Sequence, residues 1–251
     1  MEFVFNASDL CPVTPLSKMG KYADDTYLMV PSVNTASISV EMEHIANWAL
    51  NNNLTLNASK TRELIVQRPK GRGCVTIPSP TACIKRVESL CVLGVILQSN
   101  FSAREHVSKV VCRGSQCAFA LRTLRAHGLQ GAALWEVAGA TLVASAAYDS
   151  QAWWGLVDTG GAQQLDGMLR RLVKQGLLPP SFPTFSEICD EADAKLFAKI
   201  LNTPAHVLNQ LLPPIRNSGY NMRPRAHNRV LPAANNNLMR KTFITRMLYM
   251  Q

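Results

Sequence analysis

The chain has 251 residues, 47% of them hydrophobic and 17% charged, with a formal net charge of +9. This length can bury a real core in one large or two small domains, and the composition excludes global disorder. It also excludes a long apolar span: the nearest stretch, residues 131–148, carries Glu136 and many small side chains and reads as a buried helix.

The charge is unevenly placed. The last acidic residue is Asp193, and residues 1–193 hold 17 basic and 17 acidic side chains. All the excess lies beyond it, in Lys195, Lys199, Arg216, Arg223, Arg225, Arg229, Arg240, Lys241 and Arg246. A tail without counter-charges suits a polyanion contact, and a solvated basic extension explains it equally well. The seven cysteines are odd in number and lack any C-x-x-C or zinc spacing, so they read as reduced, buried thiols of an intracellular protein. The acidic residues 1–10 make a poor secretory signal.

In chain order, residues 2–10 read as the end of a helix that Pro12 and Pro15 stop. Strand-like runs at 18–23 and 26–30 flank Asp24 and Asp25. Ile38, Met42, Ile45, Ala46 and Ala49 recur at helical spacing, with Asn34 or Thr35 to cap the start and an Asn run to end it. Residues 54–56 and 62–67 read as short strands joined through Asn57–Thr61, and residues 71–73 as part of a basic hairpin loop. Residues 87–97 read as a strand pair interrupted by Gly94. Helical patterning covers 103–127, 131–150, 162–176, 185–200 and 204–212, followed by a basic tail rich in Pro and Asn. The fold class is therefore α+β to about residue 100 and mostly helical afterwards.

Asp24 and Asp25 raise the chemical question, because aspartate is depleted in strands. They mark either an ordinary surface turn or a metal site. A tight hairpin can present two neighbouring carboxylates on one side, where they repel unless a divalent cation neutralises them. Mg²⁺ prefers such hard oxygen ligands together with phosphate, the requirement of two-metal phosphoryl transfer.

"YADD" (residues 22–25) resembles the catalytic hairpin of reverse transcriptases. Trp48 and "LTLNASKT" (54–61) resemble the next block of the non-LTR retrotransposon branch, and "LGVIL" (93–97) with "FSAREHV" (101–107) resembles that branch's primer-grip hairpin leading into its thumb. "YDSQAWWG" (148–155) and the tail are similar to arthropod-type elements of this class. The resemblance implies an RNA-directed DNA polymerase: a partial palm over 1–100, a helical thumb over 101–155, and a helical region with a basic tail over 156–251. It implies RNA template, DNA primer and dNTP as partners and Mg²⁺ as cofactor.

By the same resemblance Asp24 is a direct metal ligand and Asp25 a shared or orienting one. Tyr22 lines the floor beneath the primer end or packs as a hairpin aromatic. Lys60 approaches the leaving pyrophosphate or is a solvated lysine. Asn57 and Thr61 shape a turn, and Trp48 belongs to the core. Gly94 lets backbone approach the primer or simply forms a bulge, and Arg223, Arg225 and Arg229 contact nucleic acid. The five histidines receive no role. The family's third catalytic aspartate belongs to a strand upstream of residue 1, while Asp9 matches a structural helix-end position. The chain thus reads as a C-terminal fragment, inactive alone. The alternatives are a non-catalytic nucleic-acid-binding relic or a helical interaction protein.

Overall fold

The computed structural model describes residues 7–67, 77–216, 227–233 and 236–250. It mixes helices and strands, and the chain divides into two compact units between Leu90 and Cys91. The helix end expected within residues 2–10 is described only at its close, where residues 7–9 form a turn, and the expected loop at 71–73 lies outside the described residues.

The first unit is built around a hairpin. Strands β1 (Lys18–Tyr22) and β2 (Asp25–Met29) run antiparallel, with Lys18 opposite Met29 and Tyr22 opposite Asp25. A 3₁₀ turn (Ser32–Ser37) leads into helix α1 (Ile38–Asn51). Strands β3 (Arg62–Leu64) and β4 (Lys85–Val87) pair in parallel, with Arg86 donating to Glu63 at 2.8 Å.

Helix α1 turns inward the face its apolar pattern predicts at Ile45 and Ala49, with Ile38 and Met42 half-buried, but it adds Glu41 to that face and leaves Ala46 out. Glu41, Ile45 and Ala49 are buried, four residues apart, whereas Ala46 is exposed. The cause is the proline-interrupted loop before β1, whose amides have no helix or strand to join. Glu41 accepts from the Val13 amide at 3.2 Å, from the Thr14 amide at 2.9 Å and from Thr14 Oγ1. A buried carboxylate satisfied in this way is tolerated where a bare one is not.

The helix end explains why residues 54–56 form no strand. Asn53 takes a left-handed φ of 55°, its amide donates to Leu50 at 3.1 Å, and the Leu54 amide donates to Ala49 at 2.8 Å. This double bond is the Schellman arrangement, and it removes the first amide that a strand there would need.

Strand β5 (Ser89–Val92) begins two residues before the division and forms a hairpin with β6 (Val95–Gln98) of the second unit. Its two loop residues, Leu93 and Gly94, have φ of 47° and 92°. Positive values at both loop positions belong to a type I′ turn, which matches the twist of the flanking strands. Helix α2 (Arg104–Ala126) follows, then α3 (Gly131–Ala138), which continues through a π-helical stretch (Gly139–Val143) into one more α turn (Ala144–Ala146). The helix expected to reach residue 150 ends there, and Asp149 turns the chain with a φ of 48°.

Helix α4 (Ser150–Trp153) and a 3₁₀ turn (Trp154–Leu156) lead to α5 (Thr159–Lys174), whose start is capped by Asp158 accepting from the Gly161 amide at 2.8 Å. Arg104 binds the same Asp158 carboxylate at 2.7 Å. Helix α5 lies close against α2: a Cβ on Gly114 would sit 2.2 Å from Met168 Sδ. Helix α6 (Phe185–Asn202) begins with a reciprocal cap between Thr184 and Glu187. The core of the unit gathers Leu121, Leu134, Leu142, Trp153, Leu165, Leu172 and Phe185.

Beyond α6 the expected helix at 204–212 contracts to a 3₁₀ turn (Asn209–Leu211). Pro204 withholds an amide, successive bonds run from His206 to Thr203 and from Asn209 to His206, and Asn209 Nδ2 occupies the Ile200 carbonyl at 2.8 Å.

The last residues fold back onto this unit through α7 (Asn237–Lys241) and α8 (Phe243–Tyr249), an element the basic composition had hidden. Met247 and Leu248 pack with Phe197 on α6, and His227 Nε2 bonds the Leu248 carbonyl at 2.8 Å. Gly155 is required by this docking, since a Cβ there would stand 2.1 Å from the Lys241 carbonyl oxygen.

The expectation of a tail without counter-charges needs correction here. Arg246 Nη1 lies 2.8 Å from Asp193 Oδ2, with side-chain exposures of 17% and 0%. Burial outweighs the attraction of Arg246, assisted by repulsion from Asp190, and holds the Asp193 carboxyl above its ordinary range. Arg246→Met should therefore destabilise the protein by about 3–5 kcal/mol in a urea titration, because it strands a buried carboxylate. Asp193→Leu combined with Arg246→Met should recover most of that loss.

Candidate functional site

The hairpin connecting β1 to β2 has a loop of two residues, Ala23 and Asp24. Asp24 occupies the loop and Asp25 the first position of β2, directly opposite Tyr22. All three are exposed, Tyr22 to 63%. Ala23 carries the positive φ, 50°, at the loop position where type II′ turns favour glycine. Tyr27, two residues along β2, donates its hydroxyl to Asp25 Oδ2 at 3.3 Å. Two adjacent, exposed carboxylates suit Mg²⁺, which keeps several waters and takes one or two protein carboxylates beside substrate phosphates.

Polar contacts hold β1 at both ends. At its start, Thr14 Oγ1 bonds Ser17 Oγ at 2.8 Å while Glu41 holds Thr14. Near its far end, Lys21 Nζ donates to the Leu10 carbonyl at 2.8 Å, to Ser8 at 3.3 Å and, more closely, to Ala7. The ammonium thereby gathers carbonyls of the turn preceding Pro12. Neither Lys21 nor Glu41 was singled out from the sequence. A lysine alternating into a short strand and a glutamate at helical spacing with Ile45 were the available signals.

Asp9 does not face the hairpin acids as a third ligand would. Its Oδ1 accepts from Trp48 Nε1 at 3.1 Å, tying the N-terminal turn to α1. Lys60 is exposed in a turn organised by Asn57, whose Oδ1 accepts from the Lys60 amide at 3.1 Å and from Ser59 Oγ at 2.6 Å. Thr61 closes the turn through its amide and hydroxyl, both on the Asn57 carbonyl, at 3.0 and 2.9 Å. The structure brings Tyr22, Asp24 and Asp25 together, but Lys60 forms no ion pair with either acid. Among the described residues no cluster of three Asp, Glu, His or Cys side chains is placed to hold a metal.

The remaining expected residues lie in the second unit. Gly94 sits in its type I′ turn, where a Cβ would stand 3.3 Å from Tyr148 Cε1. The positive φ and the neighbouring Tyr148 ring give this glycine a structural reason of its own. Arg229 donates through Nη1 to the Pro213 carbonyl at 3.0 Å, beside a bridge between Ile215 and Arg229, so it has a structural partner. Arg223 and Arg225 lie outside the described residues. Two histidines have clear packing roles: His106 meets Trp153 edge-on at 4.7 Å, and His227 meets Phe197 at 6.0 Å.

Comparison with protein-family models, curated proteins and solved structures finds no match to this chain.

Two expectations follow for the hairpin. Ala23→Gly should relieve the left-handed strain and slow amide exchange across β1 and β2, a gain of up to about 1 kcal/mol. Glu41 provides the pH dependence. Burial favours its neutral form, but the bonds from Thr14 and Val13, with His44 nearby, outweigh burial and hold its carboxyl below the ordinary 4.5. Its contribution is thus complete above that value and lost as the pH falls through the lower folded value. Exchange of the Val13 and Thr14 amides should accelerate over that acid range, and Glu41→Gln should abolish the dependence.

Proposed function

We propose that this chain is the C-terminal part of an RNA-directed DNA polymerase of the non-LTR retrotransposon type, with the β1–β2 hairpin supplying half of a nucleotidyl-transfer site. The observation that carries this reading is the placement of Asp24 in a two-residue loop and Asp25 beside it opposite Tyr22, all three solvent-facing. The ordered blocks at 22–25, 54–61 and 93–107 support it. So does the exposure of Leu16, Met29, Val33, Val40 and Leu50, which gives further palm strands an apolar surface to cover.

In this reading Asp24 and Asp25 hold Mg²⁺ with a third carboxylate from a strand outside this chain. The ion, when bound, supplies activation of a primer 3′-hydroxyl and stabilisation of the departing pyrophosphate. Tyr22 borders the primer end, and Lys60 meets the negative charge that accumulates on the pyrophosphate. The second reading is a non-catalytic nucleic-acid binder in which Asp24 and Asp25, with no third acid beside them among the described residues, serve no metal.

The discriminating assay is dNTP incorporation on a primed RNA template. The chain alone should be inactive. Expressed in frame with the upstream coding sequence that supplies the third aspartate, it should show Mg²⁺-dependent incorporation. Asp24→Ala should reduce that activity by about a thousand-fold or more. A completed protein that incorporates nothing, or one indifferent to Asp24→Ala, would favour the binder.

A further inference from the structure

A cleft of about 400 Å³ opens within the second unit between α2, the α turn after the π-helical stretch, and the Leu93-Gly94 turn. Its cationic and apolar parts are segregated. Lys109 and Arg113, four residues apart on α2 and therefore on one face, are exposed at the cleft. Among the described residues neither has an acidic partner, and no carboxylate lines the cleft. Adjacent cations without a counter-charge repel each other, so an anion placed between them is favoured.

Apart from Ser145, the rest of the lining is apolar or aromatic. Leu93, Val110 and Leu142 contribute walls, and Tyr148, 54% exposed, contributes a ring. Ala144, Ser145 and Ala146 are small, which leaves the space open. They follow the five-residue π-helical stretch, a rare distortion that concentrates at functional sites. His106 forms part of the lining; its Nδ1 accepts from the Ile96 amide at 3.3 Å and its ring is wedged against Trp153. Burial, then the nearby Lys109, hold its pKa below the ordinary value, so at neutral pH it stands as a neutral ring.

A paired cation site beside an apolar, aromatic-bearing recess fits a ligand with a phosphate at one end and a planar ring at the other. The volume lies at the small end of ligand pockets. A base stacked inside a duplex cannot enter such a recess without leaving its stack. We propose that this cleft binds a single unpaired nucleotide, its phosphate on Lys109 and Arg113 and its base against Tyr148 and the apolar wall. The nucleotide comes either free or as one unit of a single strand. This inference does not depend on the hairpin acids.

The test is an anisotropy titration of the full chain with a fluorescent oligothymidine at several salt concentrations. Lys109→Gln with Arg113→Gln should weaken binding at least tenfold near about 0.1 M salt, and flatten the log–log salt slope by about 1.4, the value for two contacts to a single strand. Tyr148→Leu should weaken the oligothymidine about tenfold and leave an abasic strand unchanged. Lys199→Gln, an exposed cation on α6, is the charge control and should change little. Melting curves would establish that each variant is folded.

Competition by dTMP identifies the free nucleotide as a ligand, and binding only of the strand identifies the polymer; both outcomes support the site. The proposal is overturned if neither probe binds, if Lys199→Gln costs as much as the paired substitution, if inorganic phosphate competes as well as dTMP, or if duplex of equal length binds more tightly than the single strand. The titrations read the cleft and the incorporation assay reads the hairpin, so failure of the polymerase reading and failure of this cleft are distinguished.

Discussion

The burial of Trp153 is the constraint on which the second unit depends. The indole is fully enclosed, and its Nε1 donates to the Tyr148 carbonyl at 3.0 Å. His106 from α2 meets it edge-on, while Phe185 at the start of α6 lies 6.1 Å away. One side chain thus joins three helices that are far apart in sequence. A tryptophan can do this because it offers a large apolar area and only one donor to satisfy. The left-handed Asp149 positions it: without that turn, α3 would continue and carry residue 153 away from α2 and α6.

The first unit is held together differently. Its buried hydrophobic residues are Ala7, Leu10, Ile45 and Ala49, a small set among the described residues. Most of its long-range connections are polar: Glu41 to the loop at 13–14, Lys21 to the turn at 7–10, Trp48 to Asp9, and Arg86 to Glu63. Directional bonds of this kind fix where β1 starts and ends while contributing little net stability each. The hairpin tip is therefore well placed but lightly supported, and β2 is largely exposed.

Much of this was legible in the sequence, for identifiable reasons. The two hairpins announce themselves because a two-residue loop between apolar runs leaves the chain few options, and because Gly94 tolerates the φ its turn demands. Helices α2 and α6 follow from their helical patterning. What escaped was decided at long range. Nothing near Glu41 in sequence shows that a loop almost thirty residues earlier lacks hydrogen-bond partners. Nothing near Arg246 shows that Asp193 awaits it, so charge counting mistook a core component for a free cation. The Lys109–Arg113 cleft depends on small residues following a π-helical stretch, and that distortion has no sequence period of its own. The candidate acids were legible from a four-residue string. The surroundings that decide their chemistry were not.

Gly155 carries a consequence for how the chain reaches its fold. The space beside its Cα is filled by the Lys241 carbonyl, and among the described residues the carboxylate of Asp193 is matched by Arg246. During synthesis, α2 through α6 can assemble around Trp153 before either partner has left the ribosome. They must then wait with an uncompensated acid and an uncovered Phe197 until residues 241–248 emerge. Such a late, non-local closure is slow relative to helix formation. The glycine that admits the returning segment is therefore a condition for that last closure.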